Sequence, residues 1–167
     1  MKDTIGRILV PVDFSAYSER ATQYACQLAA RVGASVELLH VADDPFLSSV
    51  WSPDVYLPDP TPLLDELVAD ASIGLSGYAS AAERHIVPLH SVVLRGQPAH
   101  MIVAHAAVCD VDLIVMGTHG RSGLSHFLLG SVAERVLRTA VCPVLTIKLP
   151  DEPRRSATGA AFAHALA

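Results

Sequence analysis

The sequence predicts a single three-layer α/β domain built on a five-stranded parallel sheet with helices on both faces. Three observations carry this. Strand-like and helix-like segments alternate five times, which is the pattern of right-handed βαβ crossovers. The strand-like segments are continuous apolar runs rather than alternating ones, as expected of a sheet covered on both sides. At 167 residues the chain suits one domain with a sizeable core.

Arg7-Ile8-Leu9-Val10-Pro11-Val12-Asp13 reads as the first strand. A helix from Ser18 to Val32 follows, with Ala21, Ala25, Leu28 and Ala29 at helical spacing and Gly33 as its stop. Ser35 to Val41 is the second strand. The stretch 43–61 carries Pro45, Pro53, Pro58 and Pro60 and shows neither period, so it reads as a loop insertion. Its Trp51 and Tyr56 suit either a lid or a plain surface loop. Thr61-Pro62 supplies a cap and a proline at the first helical position. Leu63, Leu64, Leu67, Val68, Ala71, Leu75 and Ala79 continue a long amphipathic helix weakened at Gly74 and Gly77. Val87 to Leu94 is the third strand, Pro98 to Val108 a helix, Asp112 to Met116 the fourth strand, Ser131 to Thr139 a helix and Pro143 to Lys148 the fifth strand. The domain is therefore expected over 1–149, with 150–167 a flexible tail.

Composition narrows the function. A net charge of −5 gives no basic footprint for nucleic acid, and no run reaches the roughly 20 apolar residues of a membrane span. No secretory leader is apparent, so the cytoplasm is the expected setting. Cys26, Cys109 and Cys142 are scattered and odd in number. They read as small buried thiols, none with a His and an acid placed to make a nucleophile. His40, His90, His100 and His105 show no metal spacing, and no metal cage is expected.

The chemistry concentrates at Met116-Gly117-Thr118-His119-Gly120-Arg121, followed nine residues after Gly120 by Gly130-Ser131. Strand, glycine loop, helix is a layout in which backbone amides and a helix N-terminus hold phosphate. Nothing after the first strand resembles G-x-G-x-x-G, so a dinucleotide site of the usual kind is not expected, and the absence of G-x-x-x-x-G-K-[ST] excludes a P-loop. In an open parallel sheet a ligand sits outside the carboxyl ends of the strands where their order reverses. The loop after the fourth strand and the one at Pro11-Val12-Asp13-Phe14-Ser15 would then open into one crevice.

The spacing Gly117-x-x-Gly120-x9-Gly130-Ser131 resembles the nucleotide-binding signature of the universal stress protein family. Ile8 to Asp13, Gly130 to Val136 and Cys142-Pro143-Val144-Leu145 resemble that family's opening strand, closing helix and closing strand. The resemblance implies an adenine nucleotide alpha hydrolase-like sheet of order 3-2-1-4-5 and a place in the ATP-binding group. It implies a stress-response or signalling role in which ATP, with Mg²⁺ or Mn²⁺ bound through its phosphates, is a ligand hydrolysed slowly at most. The alternatives are a weak ATPase and a binding module for AMP or cAMP. By the same resemblance Pro11, Asp13 and Val41 line the base and ribose pocket, Val41 through its backbone. Gly117 lies near the ribose, while Gly120, Gly130 and Ser131 hold the phosphates. Met116 and Val132 complete the set. A homodimer through the fifth strand, Val144 to Ile147, is expected as well.

Several of these residues carry a second reading. The glycines would also serve tight turns. Ser131-x-x-Glu134 has the form of a capping box, in which the Ser131 hydroxyl accepts from the Glu134 amide. Asp13 suits a turn, a sugar contact or the placing of a divalent ion. Arg121, the one cation of the glycine loop, either neutralises phosphate charge or is solvated. His119 reads as an exposed loop residue rather than a catalytic one.

Overall fold

A computed structural model describes residues 4–42, 61–118 and 129–149. The elements run β1 (Arg7–Pro11), α1 (Ala16–Val32), β2 (Ser35–Ala42), α2 (Thr61–His85), β3 (Leu89–Arg95), α3 (Pro98–Val108), β4 (Leu113–Gly117), α4 (Ser131–Thr139) and β5 (Val144–Ile147). The five strands form one sheet in the order β3-β2-β1-β4-β5, and every neighbouring pair is parallel. The expected architecture and strand order are both present.

The continuous apolar runs divide by parity, because successive strand residues face opposite sides of a sheet. Ile8, Val10, Val36, Leu38 and Val115 pack with α1 and Leu75 of α2 on one face. Leu9, Leu39, Val41, Ile114 and Met116 pack with α3 and α4 on the other. Ile8, Leu9, Leu38, Leu39 and Ile114 have no exposed surface. Each such side chain contributes about 1.5–3 kcal/mol by leaving water.

Element ends differ from the sequence expectation for local reasons. β1 stops at Pro11 instead of Asp13. The Val12 amide still donates to Leu39 O at 2.8 Å, but Phe14 then takes a φ of 63° and turns the chain. α1 starts at Ala16, two residues earlier than predicted, because Ser15 caps it: its hydroxyl accepts from the Ser18 amide. Gly33 closes α1 in the left-handed region, and the Gly33 and Ala34 amides both donate to Ala29 O. α2 continues past Gly74 and Gly77 to His85, with Ala71 and Leu75 buried; packing outweighs the two weak positions. The predicted loop falls within 43–60, outside the described residues apart from its last position, Thr61, which opens α2; the predicted tail, 150–167, is likewise outside them.

Asp112 fastens the sheet at its amino end, accepting from the Gly6 and Arg7 amides at 2.9 and 3.0 Å. Burial, then the Asp112 charge, pushes the Cys142 thiol above its ordinary range.

Candidate functional site

A crevice of about 800 Å³ opens at the carboxyl ends of β1, β2 and β4. It lies where strand order reverses between β1 and β4, the position expected for ligands of open parallel sheets. Its size is within the 300–1,000 Å³ typical of small-molecule pockets.

One wall is backbone. α4 begins at Ser131 with Gly130 as the residue before its first turn. The Glu134 amide donates to Gly130 O at 2.8 Å, making the first helical bond. The amides of Ser131, Val132 and Ala133 precede that bond and have no partner among the described residues. All three residues line the crevice. Three free N–H groups and the positive end of the helix dipole therefore meet at its rim, an arrangement suited to an anion.

The opposite wall is made of side chains. The Asp13 carboxylate accepts from the Ser15 amide at 3.1 Å and the Ser15 hydroxyl at 2.6 Å, so the turn reading of Asp13 holds while the residue also lines the crevice. The Phe14 ring lies 4.6 Å from that of His40 and 6.1 Å from that of Tyr78. His40 Nδ1 is 2.7 Å from Val12 O. A Cβ at Gly74 would sit 2.7 Å from Phe14 Cε1, so the weak point of α2 is where the ring approaches the helix. A bulky residue at positive φ costs about 1–3 kcal/mol and persists only where its surroundings hold it. Here the two rings and the bare Gly74 backbone do so.

Of the residues predicted from the sequence, Pro11, Asp13, Val41, Met116, Gly117, Gly130, Ser131 and Val132 all line this one crevice. His119, Gly120 and Arg121 lie outside the described residues. Two details are corrected. The capping box is absent: Ser131 is the first helical residue, and the Glu134 amide bonds to Gly130 O rather than to the Ser131 hydroxyl. The Gly130 amide is already committed, donating to Thr118 O at 2.8 Å, so the amides left for a ligand are those of the next three residues. Positive φ is not why glycine stands at 117 and 130. Among the described glycines only Gly33 and Gly96 have it, and Gly130 sits at φ −60°, ψ 145°.

Sequence reasoning placed Phe14 in the crevice loop without giving it a role, and it missed His40, Leu67, Asp70, Gly74, Pro98 and Ile102, which also line the crevice. Phe14 and Gly74 acquire meaning only from each other, 60 positions apart, so no local pattern marks them.

The cysteine reading also changes. Cys26, Cys109 and Cys142 are free, and only Cys26 is fully buried. Cys109 does have a histidine and an acid nearby, His105 and Glu37. Glu37 is 68 positions from His105 in the chain, which hid the grouping from any spacing rule. Among the described residues no helix is long and apolar enough to cross a membrane.

Known proteins resemble this chain in sequence and fold. A universal stress protein of Methanocaldococcus jannaschii is 40% identical over 149 residues, covering 87% of this chain and 84% of that protein. The solved structure of a hypothetical protein, used to assign its biochemical function, matches with a TM-score of 0.76 at 30% identity, over 89% of this chain and 99% of that one. The universal stress protein of Archaeoglobus fulgidus in complex with dAMP matches with a TM-score of 0.61 at 27% identity, over 86% and 98%. The family model described as "Universal stress protein family" matches residues 4–148, and the chain belongs to that family.

Proposed function

We propose that the crevice binds ATP, with Mg²⁺ or Mn²⁺ carried on the phosphates, and that the protein serves a stress-response or signalling role as a nucleotide-binding homodimer. The observation that carries this reading is the set of unpartnered amides at Ser131, Val132 and Ala133, facing a crevice that also holds Asp13 and Val41. Phosphate fits the amide wall, and base and sugar fit the wall of Pro11, Asp13 and Val41. The Asp13 carboxylate would repel phosphate, so it belongs on the ribose side. Gly120 and Arg121 complete the phosphate contacts in this reading. In this reading turnover is slow at most: among the described residues the acids lining the crevice are Asp13, engaged by Ser15, and Asp70, exposed on α2.

One observation favours a second reading. The Archaeoglobus fulgidus relative was solved with dAMP, a nucleotide with a single phosphate, so a monophosphate such as AMP or cAMP is the alternative. Mass spectrometry of nucleotide carried through purification, followed by calorimetry with ATP, AMP and cAMP, separates the two. Tighter binding of ATP supports the first reading, and tighter binding of a monophosphate the second. No heat with any of them at millimolar concentration defeats both.

The homodimer rests on β5. Among the described residues its only neighbour in the sheet is β4, and all four of its residues are half-buried. An apolar unpaired edge is an aggregation hazard, and pairing two copies about a two-fold axis covers both edges at once. Sedimentation equilibrium should show a dimer, and a monomer at all concentrations would contradict it. A cytoplasmic setting belongs to the same reading, in keeping with three unpaired thiols.

A further inference from the structure

On the α3 side of the sheet, away from the crevice's amide wall, three side chains of different chemistry converge. His105 Nε2 lies 2.9 Å from Glu37 Oε1, and Cys109 Sγ lies 3.8 Å from His105 Nδ1. One donor atom from each lies within 4.8 Å of the others, and all three residues are half-buried. We propose that Cys109 Sγ and His105 Nδ1 bind a zinc-class divalent cation, with Glu37 holding the other ring nitrogen.

The distances fit without rearranging the chain. A zinc ion bonded to sulfur at about 2.3 Å and to nitrogen at about 2.0–2.1 Å in tetrahedral geometry sets the two donors roughly 3.6 Å apart. The observed gap is 3.8 Å. His105 and Cys109 are four residues apart at the end of α3, a spacing that puts both side chains on one helix face. Glu37, on β2, accepts from Nε2–H once Nδ1 is on the metal. That is the carboxylate–histidine–metal relay, which fixes the tautomer and raises the basicity of the ligand.

Charge favours a cation as well. The cluster sits at the carboxyl end of α3, where the helix dipole is negative, and Glu37 adds a full negative charge. Binding displaces the Cys109 proton to solvent and leaves a thiolate on the ion, and sulfur with imidazole is a donor pair suited to zinc. The opposing charge is Arg7, whose guanidinium donates to Cys109 O. That bond engages the Cys109 carbonyl, while the thiol contacts His105 Nδ1. Glu37 and His105 are each only 13% exposed, so the charges are little screened.

The test uses reduced, tag-free full-length protein titrated with Co²⁺ and then with Zn²⁺. A saturable thiolate-to-cobalt charge-transfer band that zinc abolishes is expected. Cys109→Ser should remove the band, whereas Cys142→Ser, outside the cluster, should keep it. His105→Ala should weaken binding at least tenfold, with His105→Gln substituted if the alanine variant fails to fold by circular dichroism. Glu37→Gln should weaken it about tenfold, the usual effect of removing such a partner. A wild-type protein without the band, or a band that survives in folded Cys109→Ser, overturns the proposal. A nucleotide site that fails its own calorimetry leaves this result untouched, because the two readouts share no residue.

Discussion

Across the crevice, α4 presents peptide amides that need no particular side chain, whereas the facing wall depends on how Phe14 seats against His40, Tyr78 and Gly74. The backbone wall is set as soon as a helix begins after a glycine. The side-chain wall exists only once α2 has crossed over the turn that follows β1. A substitution in the first should therefore alter what binds while sparing the fold, and one in the second should disturb the fold directly.

Four substitutions probe that contrast. Gly130→Val has the largest expected effect: about a hundredfold loss of nucleotide affinity, near 2.7 kcal/mol, by calorimetry. Its backbone angles, φ −60° and ψ 145°, admit any residue, so the melting temperature should move by no more than about 2 °C. A variant that still binds normally would break the backbone-wall account. Next, Gly74→Ala should cost about 1–3 kcal/mol in urea unfolding through overpacking against Phe14, although alanine is the better helix former by about 1 kcal/mol. A stabilised Gly74→Ala protein would show that the ring moves aside freely. Ser131→Ala comes third. With no capping bond to lose, its stability should stay within about 0.5 kcal/mol of wild type. Affinity should fall about fivefold, the worth of one hydrogen bond. The sequence alone predicts the reverse emphasis, a stability loss of about 0.5–2 kcal/mol for a broken cap. Smallest is Gly77→Ala, in the same helix as Gly74 but with nothing within 4 Å of an added Cβ. It should gain about 0.4–1 kcal/mol, and the opposite signs at 74 and 77 isolate the contact with Phe14.

The same contrast explains what the sequence made legible. Continuous apolar runs such as Ile8-Leu9-Val10 and Leu113-Ile114-Val115 announced a sheet covered twice. Gly33 announced the end of α1, and the glycine pattern announced the amide wall. These signals are local, so they are written in neighbouring letters. The capping-box reading of Ser131 fails, although the helix start at 131 holds, because a serine three residues before a glutamate looks the same whether it precedes a helix or opens it; only the Glu134 to Gly130 bond decides. Phe14 with Gly74, and Glu37 with His105, are pairings made by the crossovers, and nothing in either partner's surroundings in the chain points to the other.

Thr118 joins two parts of the molecule that look separate. Its amide donates to Ile147 O on the edge strand, and its carbonyl accepts from the Gly130 amide at the foot of α4. Displacing β5 must therefore either stretch one of these two bonds or carry the tip of α4 with it. A molecule docking along that edge would thus be felt at the amide rim of the crevice through the one residue Thr118, and a ligand pulling on the rim would be felt at the edge.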